Sequence, residues 1–406
     1  MSFAKRYLEL HIPYAAFIPD KPSEMLGLIV VIPACNEPEL IRTIDSLAGC
    51  EPPACGVEVI VLVNEAEDSP DNVRLQNDRS IGELVAWKQS HPAAFFDLYP
   101  VRADAFPRKH AGAGLARKTA MDEGIRRFAA ISHADGILVS LDADTLVAPN
   151  YLTEIERCFH SGDKPVGATI RFRHRIDEIQ DNRHRTGIML YEKYLHYYKQ
   201  ALAFTGFPHA IYTVGSAFSV RADAYVKQGG MSKRQAGEDF YFLHKLKQLG
   251  QVTEINTTCV FPSARLSDRV PFGTGPALKK WVDGDDRLQQ TYDFQAFADL
   301  QQFFKLLPSF YERAFQPDDI ERLHIPKPVL LFLREDHFPE SLAEIKQNSS
   351  SFITFEKRFF QYFNAFKILK FLNFSHPDDY TYQDLEEAYR QMEETTAHFV
   401  SSPEKE

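Results

Sequence analysis

The chain has 406 residues, 44% hydrophobic and 25% charged, which supplies core material for one large domain or two ordinary ones. Lys plus Arg total 46 against 56 for Asp plus Glu, a formal charge of −10, and this acidic balance argues against a nucleic-acid partner. The five cysteines, Cys35, Cys50, Cys55, Cys158 and Cys259, show no CxxC spacing, so a disulfide framework or structural zinc is not expected. The opening MSFAKRYLELHIPYAAFIPDK lacks a continuous apolar h-region, and no stretch is long enough to span a bilayer. The expected setting is the cytoplasm, at most peripheral to a membrane.

Residues 1–25 read as an N-terminal extension. LGLIVVIPA (26–34) reads as a buried strand, and EPELIRTIDSLAG places Leu40, Ile41, Ile44 and Leu47 at helical spacing. GVEVIVLVN (56–64) is a second buried strand, whereas YPVRADAFPRK makes no clean one. AGLARKTAMDEGIRRFAA predicts a helix, DGILVSLDAD a third strand and VGATIRF (166–172) another. From about residue 185 long aromatic helical stretches appear, including GIMLYEKYLHYYKQALAF. GEDFYFLHKLKQLG (237–250) predicts a helix ending on Gly250. The alternation predicts an α/β domain over 26–275, its mostly parallel central sheet flanked by helices, and a mainly helical region over 276–406. The charged tail SSPEKE reads as frayed.

Polar residues gather where the buried strands end. In VVIPACNEPEL, Pro33 is expected to end ladder pairing and Asn36 can cap the next helix. Alternatively, Pro33, Ala34, Asn36 and Glu37 line a nucleotide's base and ribose, because ligand crevices in open α/β sheets lie at strand carboxyl ends. Asn64, followed by EAED, ends the second strand towards the same crevice. HAGAGLARK (110–118) begins like a dinucleotide fingerprint, but Arg117 stands where the third glycine belongs. That reading is rejected, although a glycine-rich turn followed by Arg117 and Lys118 suits phosphate oxygens.

Asp142 and Asp144 end the apolar run Ile137 to Leu141. Two carboxylates there repel one another unless a cation is present, and Mg²⁺ or Mn²⁺ commonly bridges carboxylates to phosphates. The bland alternative is a capped strand-to-helix turn. A second DxD, Asp283 and Asp285 in WVDGDDRLQ, follows no apolar strand and reads as a solvated turn. Glu238 and Asp239 open a helix, where acidic residues are favoured by the dipole but can also supply a general base. Gly215, Ser216 and the Gly229–Gly230 turn allow backbone to approach a ligand closely.

Taken in order, VVIPACNE, EVIVLVN, GAGLARKTAMD, LVSLDADT, GSAFSVRADAY and AGEDFYF resemble a family 2 glycosyltransferase of the GT-A fold, over roughly residues 26 to 270. The resemblance implies a nucleotide-sugar donor, a UDP-sugar ahead of a GDP- or dTDP-sugar, and a glycan or lipid-linked acceptor, as in cell-envelope glycan synthesis. It implies Mn²⁺ or Mg²⁺ held chiefly by Asp144, with Asp142 towards the ribose or sugar. Asp239, with Glu238 beside it, would be the base of an inverting transfer. Pro33, Ala34, Asn36 and Glu37 match the family's nucleotide segment, and Arg117 its diphosphate side. The usual aspartate run after the second strand is replaced by Asn64 and EAED, and the QxxRW motif of processive synthases is absent. Transfer of a single sugar is therefore expected. PSARLSDRVPFGTG (262–275) falls where such enzymes carry a mobile loop; Arg265 and Arg269 could neutralise the diphosphate, with Gly273 and Gly275 as hinges. An ordinary exposed basic loop is the alternative.

Phe355, Phe359, Phe363, Phe366 and Leu369 fall at helical spacing with Lys357, Arg358, Lys367 and Lys370 interspersed. The stripe predicts core packing, an oligomer contact, or a membrane-surface helix over 352–374. Two other functional classes compete with glycosyl transfer. A sugar-nucleotide nucleotidyltransferase would need a glycine-rich basic loop after the first strand, which IPACNEPE lacks. A catalytically inactive glycan-binding relic would have lost its aspartates, and Asp142, Asp144 and Asp239 are all present.

Overall fold

The computed structural model describes residues 2–12, 14–233, 237–267, 273–313 and 317–401. The chain divides into two compact units, Met1–Gln180 with Thr213–Lys279, and Asp181–Tyr212 with Lys280–Glu406. The first unit is built on one sheet: β1 (Leu26–Ala34), β2 (Gly56–Ala66), β3 (Phe96–Phe106), β4 (Ile137–Ser140), β5 (Leu146–Val147), β6 (Gly167–Phe172), β7 (Phe218–Arg221) and β8 (Val252–Phe261). The helices along this part of the chain are α1 (Lys5–His11), α2 (Leu40–Ala48), α3 (Asp71–Ser90), α4 (Ala113–Ala130), α5 (Tyr151–Phe159), α6 (Asn182–Phe204), α7 (Ala222–Gln228), α8 (Glu238–Lys247) and α9 (Thr274–Val282). Of these, α6 belongs to the second unit, and α9 runs across the division.

The strand order is β3-β2-β1-β4-β7-β6-β8-β5. β1 lies between β2 and β4, parallel to both, and β3 and β8 join parallel to β2 and β6. The expected mostly parallel α/β sheet with flanking helices is what forms. The chain moves outward from β1 through β2 to β3, then resumes on the other side of β1 with β4. That reversal opens a crevice at the carboxyl ends of β1 and β4, the usual ligand position in such sheets. Leu28, Ile29, Val30, Val31 and Ile32 are all fully buried, as an uninterrupted apolar run in a parallel sheet centre must be.

β3 departs from the expectation. Residues 96–106 alternate between buried and exposed positions and carry Pro100 inside the strand. Pro100 is tolerated because β3 is the sheet edge, so a half-wet strand lacks the apolar run that marks a central one. α3 also carries no apolar stripe strong enough to foretell it. Pro33 does not end the ladder: it pairs with Leu62, and β1 continues to Ala34. Asn36 is not the cap of α2, which begins behind Glu39, and it sits in the left-handed region at φ 51°. α8 stops at Lys247 with Gln248 as its cap, short of Gly250.

The N-terminal extension is fastened to α4. The fully buried Asp122 carboxylate accepts from Tyr7 (2.7 Å), Tyr225 (3.0 Å), Tyr14 (3.1 Å) and Lys118 Nζ (2.6 Å). Lys118 is therefore committed to this cluster and not to phosphate oxygens. The glycine pair has a local cause too. Gly229 is the left-handed cap of α7, and a Cβ on Gly230 would meet the Tyr7 hydroxyl at 1.9 Å.

The second unit is helical: α6 is joined by α10 (Phe294–Phe304), α11 (Leu307–Glu312), α12 (Lys327–Glu335), α13 (Phe338–Gln347), α14 (Phe352–Tyr362), α15 (Ala365–Ser375) and α16 (Leu385–Ser401). The stripe expected on one helix over 352–374 is split between α14 and α15, with Asn364 capping the second. Phe355, Phe359 and Phe363 are fully buried, and the rings of Phe359 and Phe363 lie against Phe303 and Phe304. The stripe thus goes to core packing, and only Phe366 turns outward, at 51% exposure. Lys367 and Lys370 pair with Asp336, so two of the four cations of the membrane reading already have an acidic partner within the chain. Among the described residues no helix is long and apolar enough to cross a membrane. Asp283 is exposed and Asp285 holds Arg287, as expected of a solvated turn. The tail beyond residue 401 lies outside the described residues.

Candidate active site

The Asp142–Asp144 turn is fixed by bonds to its main chain. Leu141 N–H donates to Val31 O (3.1 Å), Thr145 N–H to Asp142 O (3.1 Å), and Thr43 Oγ1 to Ala143 O (2.9 Å). Neither aspartate caps a helix, since α5 begins at Tyr151 behind Asn150. The turn therefore carries both carboxylates into the crevice, and the capping reading falls.

Two arginines meet them. Arg117 of α4, 3% exposed, donates through Nη2 to Asp142 Oδ1 at 2.5 Å and through Nη1 to Glu238. Burial works against its charge, but Asp142, Glu238 and Asp239 outweigh that and hold its proton more tightly. Its Nε finds no partner among the described residues. Gly215 is needed here: a Cβ would lie 2.8 Å from Arg117 Nη2, while its carbonyl accepts from Ser140 Oγ at 2.7 Å. The close approach expected at Gly215 is thus to Arg117. Ser216 is buried beside it, 2% exposed.

Arg265, beyond β8, spans two strand ends. It donates to both carboxylate oxygens of Glu37, through Nη1 at 2.7 Å and through Nη2, and Nη2 also lies 2.9 Å from Asp144 Oδ2. Arg175 reaches the Asp144 carbonyl at 3.0 Å. Arg269 lies outside the described residues.

Exposure separates the carboxylates. Asp142 and Asp144 keep 38% and 23% of their side chains open, whereas Glu238 keeps 4% and is sealed against Arg117. Asp144 is pushed up to about 7, first by burial and then by Asp142 and Glu37, with Arg265 and Arg175 opposing. A carboxylate crowded by two others is a hard oxygen donor that suits Mg²⁺ or Mn²⁺. Among the described residues no three His, Cys, Asp or Glu side chains converge as a complete ligand set. Such an ion would need phosphate or water oxygens as well. Asp239, the next residue after sealed Glu238, is also pushed up to about 7, by burial first and Glu238 second. Its Oδ1 accepts from Phe240 N–H at 2.8 Å.

Sequence reading missed Asn77. This fully buried α3 side chain accepts from Asn36 N–H (2.9 Å) and donates to Asn64 O (3.0 Å), clamping the β1 and β2 exits together. It holds Asn36 in its left-handed geometry and leaves Asn64 buried at 5% exposure. Arg102, from edge strand β3, similarly reaches Glu65 at 2.8 Å. A polar residue in a polar helix gives no warning of such a task. Asn77→Ala removes the acceptor for Asn36 N–H and the donor to the buried Asn64 carbonyl, and is expected to cost about 1–3 kcal/mol, read as a lower urea midpoint with unchanged m-value.

With this geometry in place, comparison with known proteins becomes decisive at one point. Residues 137–303, from β4 into α10, match the family model described as Glycosyl transferase family group 2. Over residues 137–303 this chain is similar to family 2 glycosyltransferases. The span includes Asp142, Asp144, Glu238, Asp239 and Arg265, so the resemblance drawn from the motifs holds there. No curated protein matches the chain. Among solved structures, TarS residues 1–349 from S. aureus shares 12% identity at a TM-score of 0.41, covering 90% of this chain and 92% of that one. Mannosyltransferase PcManGT from Pyrobaculum calidifontis, in complex with GDP-Man and Mn²⁺, shares 15% identity at a TM-score of 0.39, covering 86% and 93%.

Proposed function

We propose that this chain is a glycosyltransferase that moves a single sugar from a nucleotide-diphosphate donor to an acceptor hydroxyl, with inversion at the anomeric carbon. The observation that carries the reading is Arg117, which ties the Asp142 exit of β4 to Glu238 at the head of α8. That link between residues far apart in sequence supports the reading of one shared site.

Pro33, Ala34, Asn36 and Glu37 would line the nucleoside, with Asn64 behind them and Gly215 and Ser216 shaping the floor. Arg265 would offset diphosphate charge. When bound, Mn²⁺ or Mg²⁺ would stabilise the departing nucleoside diphosphate, with Asp144 as chief protein ligand and Asp142 beside it. Asp142, oriented by Arg117, would hold the donor's ribose or sugar. Asp239 would accept the acceptor's proton as its oxygen attacks from the face opposite the leaving group. Glu238 is poorly placed for proton transfer, because it is sealed on Arg117; its work would be to position that arginine. A nearby carboxylate also helps keep Asp239 basic.

Thermal shift with UDP-, GDP- and dTDP-sugars, each with and without Mn²⁺, tests the reading. One nucleotide sugar at about 100 times its Kd is expected to add about 2.7 kcal/mol to stability, only in the presence of Mn²⁺. Asp144→Ala should abolish that shift and turnover together. A Mn²⁺-dependent shift that survives Asp144→Ala would remove Asp144 as the ligand; no shift with any donor would sink the donor assignment.

A further inference from the structure

Glu37 leaves β1 and Asp144 leaves β4, yet a single guanidinium holds both. We propose that Arg265 is a tethered counter-ion that guards the Asp144 carboxylate and yields it to an incoming divalent cation, pivoting on Glu37. The inference rests on the donor reading above and adds a role that the reading does not contain.

Three observations carry it. Glu37 takes both ends of the Arg265 fork and is 2% exposed, whereas Asp144 meets the shared Nη2 and is 23% exposed. A sealed carboxylate cannot give up its cation cheaply; one at a solvent-open recess can exchange it. Glu37 is thus the fixed anchor and Asp144 the exchangeable partner. Secondly, Asp142 is already matched by Arg117, whose contact with Glu238 is sealed, whereas Arg265, itself 26% exposed, is free to move at the Asp144 carboxylate. Thirdly, a guanidinium and a dication cannot share one carboxylate oxygen without strong repulsion. Each must therefore weaken the other, and by the same factor. Retained on Glu37 and released from Asp144, the freed Nη2 edge would remain at the crevice mouth to meet the diphosphate.

Mn²⁺ binding to the full chain without donor, followed by the electron paramagnetic resonance signal of free Mn²⁺, tests this. R265Q is expected to bind Mn²⁺ about tenfold more tightly than the parent, R265K about equally, and Asp144→Asn far more weakly. A side chain with a merely structural role would weaken the site when lost, so the sign decides. If R265Q binds no more tightly while Asp144→Asn abolishes binding, the counter-ion role is wrong and the donor reading stands. If Asp144→Asn binds like the parent, both fall. Should R265Q not fold, phenylglyoxal labelling of the parent chain replaces it: Mn²⁺ should speed modification of Arg265, and an unchanged rate overturns the proposal.

Discussion

Replacing Arg117 with methionine is expected to destabilise the first unit by roughly 3–5 kcal/mol, the usual cost of stranding buried charge after one partner is removed. Methionine approximates the aliphatic length, so little cavity forms, and the loss is electrostatic. Glu238 suffers most, since it is sealed with Arg117 as its counter-charge. Asp142 is more open and can recover water. The sizes of these losses are separable by double-mutant cycle. Arg117→Met with Glu238→Gln should regain a large part of the stability, while Arg117→Met with Asp142→Asn should regain little. Arg117→Lys keeps the charge but not the two-armed fork, and should fall between parent and methionine variant. Urea unfolding at constant m-value measures all four. A loss below about 1 kcal/mol for Arg117→Met would mean that the ion triad does not hold the β4 exit to α8.

The placement of the candidate site residues was legible in sequence where apolar runs and strand order coincide. Asp142 and Asp144 could be read because they follow a run that only a buried strand explains, and the exposed Asp283–Asp285 copy shows how little the tripeptide alone conveys. Glu238 and Asp239 could be placed at a helix start, but not told apart, because exposure separates them and sequence does not encode exposure for adjacent residues. The clamps were hidden. Asn77, Arg102 and Arg175 act through single side-chain reaches across the fold, from segments with no periodic or motif signal. The fold behaved similarly. β1, β2 and β4 announced themselves through continuous apolar runs, whereas β3 was disguised by its edge position and Pro100. The Phe stripe of α14 and α15 could not choose between core and surface, since a 3.6-residue period reports an apolar face without naming what covers it.

Asp239→Asn is expected to cut turnover by about 10² to 10⁴, the span general-base catalysis commonly supplies, while leaving the Mn²⁺-dependent donor shift intact. The pH profile gives an independent check. Because the parent carboxyl is pushed up to about 7, the basic form needed for proton acceptance gathers above that pH, and kcat/KM should climb through it. Asp144 is raised to the same region, so the titration belongs in saturating Mn²⁺, where that group stays ionised. The stability consequence has the opposite sense. A carboxyl with an ordinary value of 3.8 that rises to about 7 in the fold binds its proton more tightly when folded. Its stabilising contribution is whole below 3.8 and is lost as pH rises through about 7. At pH 8 the ionised Asp239 therefore burdens the fold, and an amide of similar shape does not. Asp239→Asn should melt above the parent at pH 8, with the margin closing towards pH 4, the signature of a residue kept for chemistry at a cost in stability. Full turnover in this variant would remove Asp239 as the base. A melting temperature unchanged at pH 8 would instead place its carboxyl in water, with no raised value to exploit.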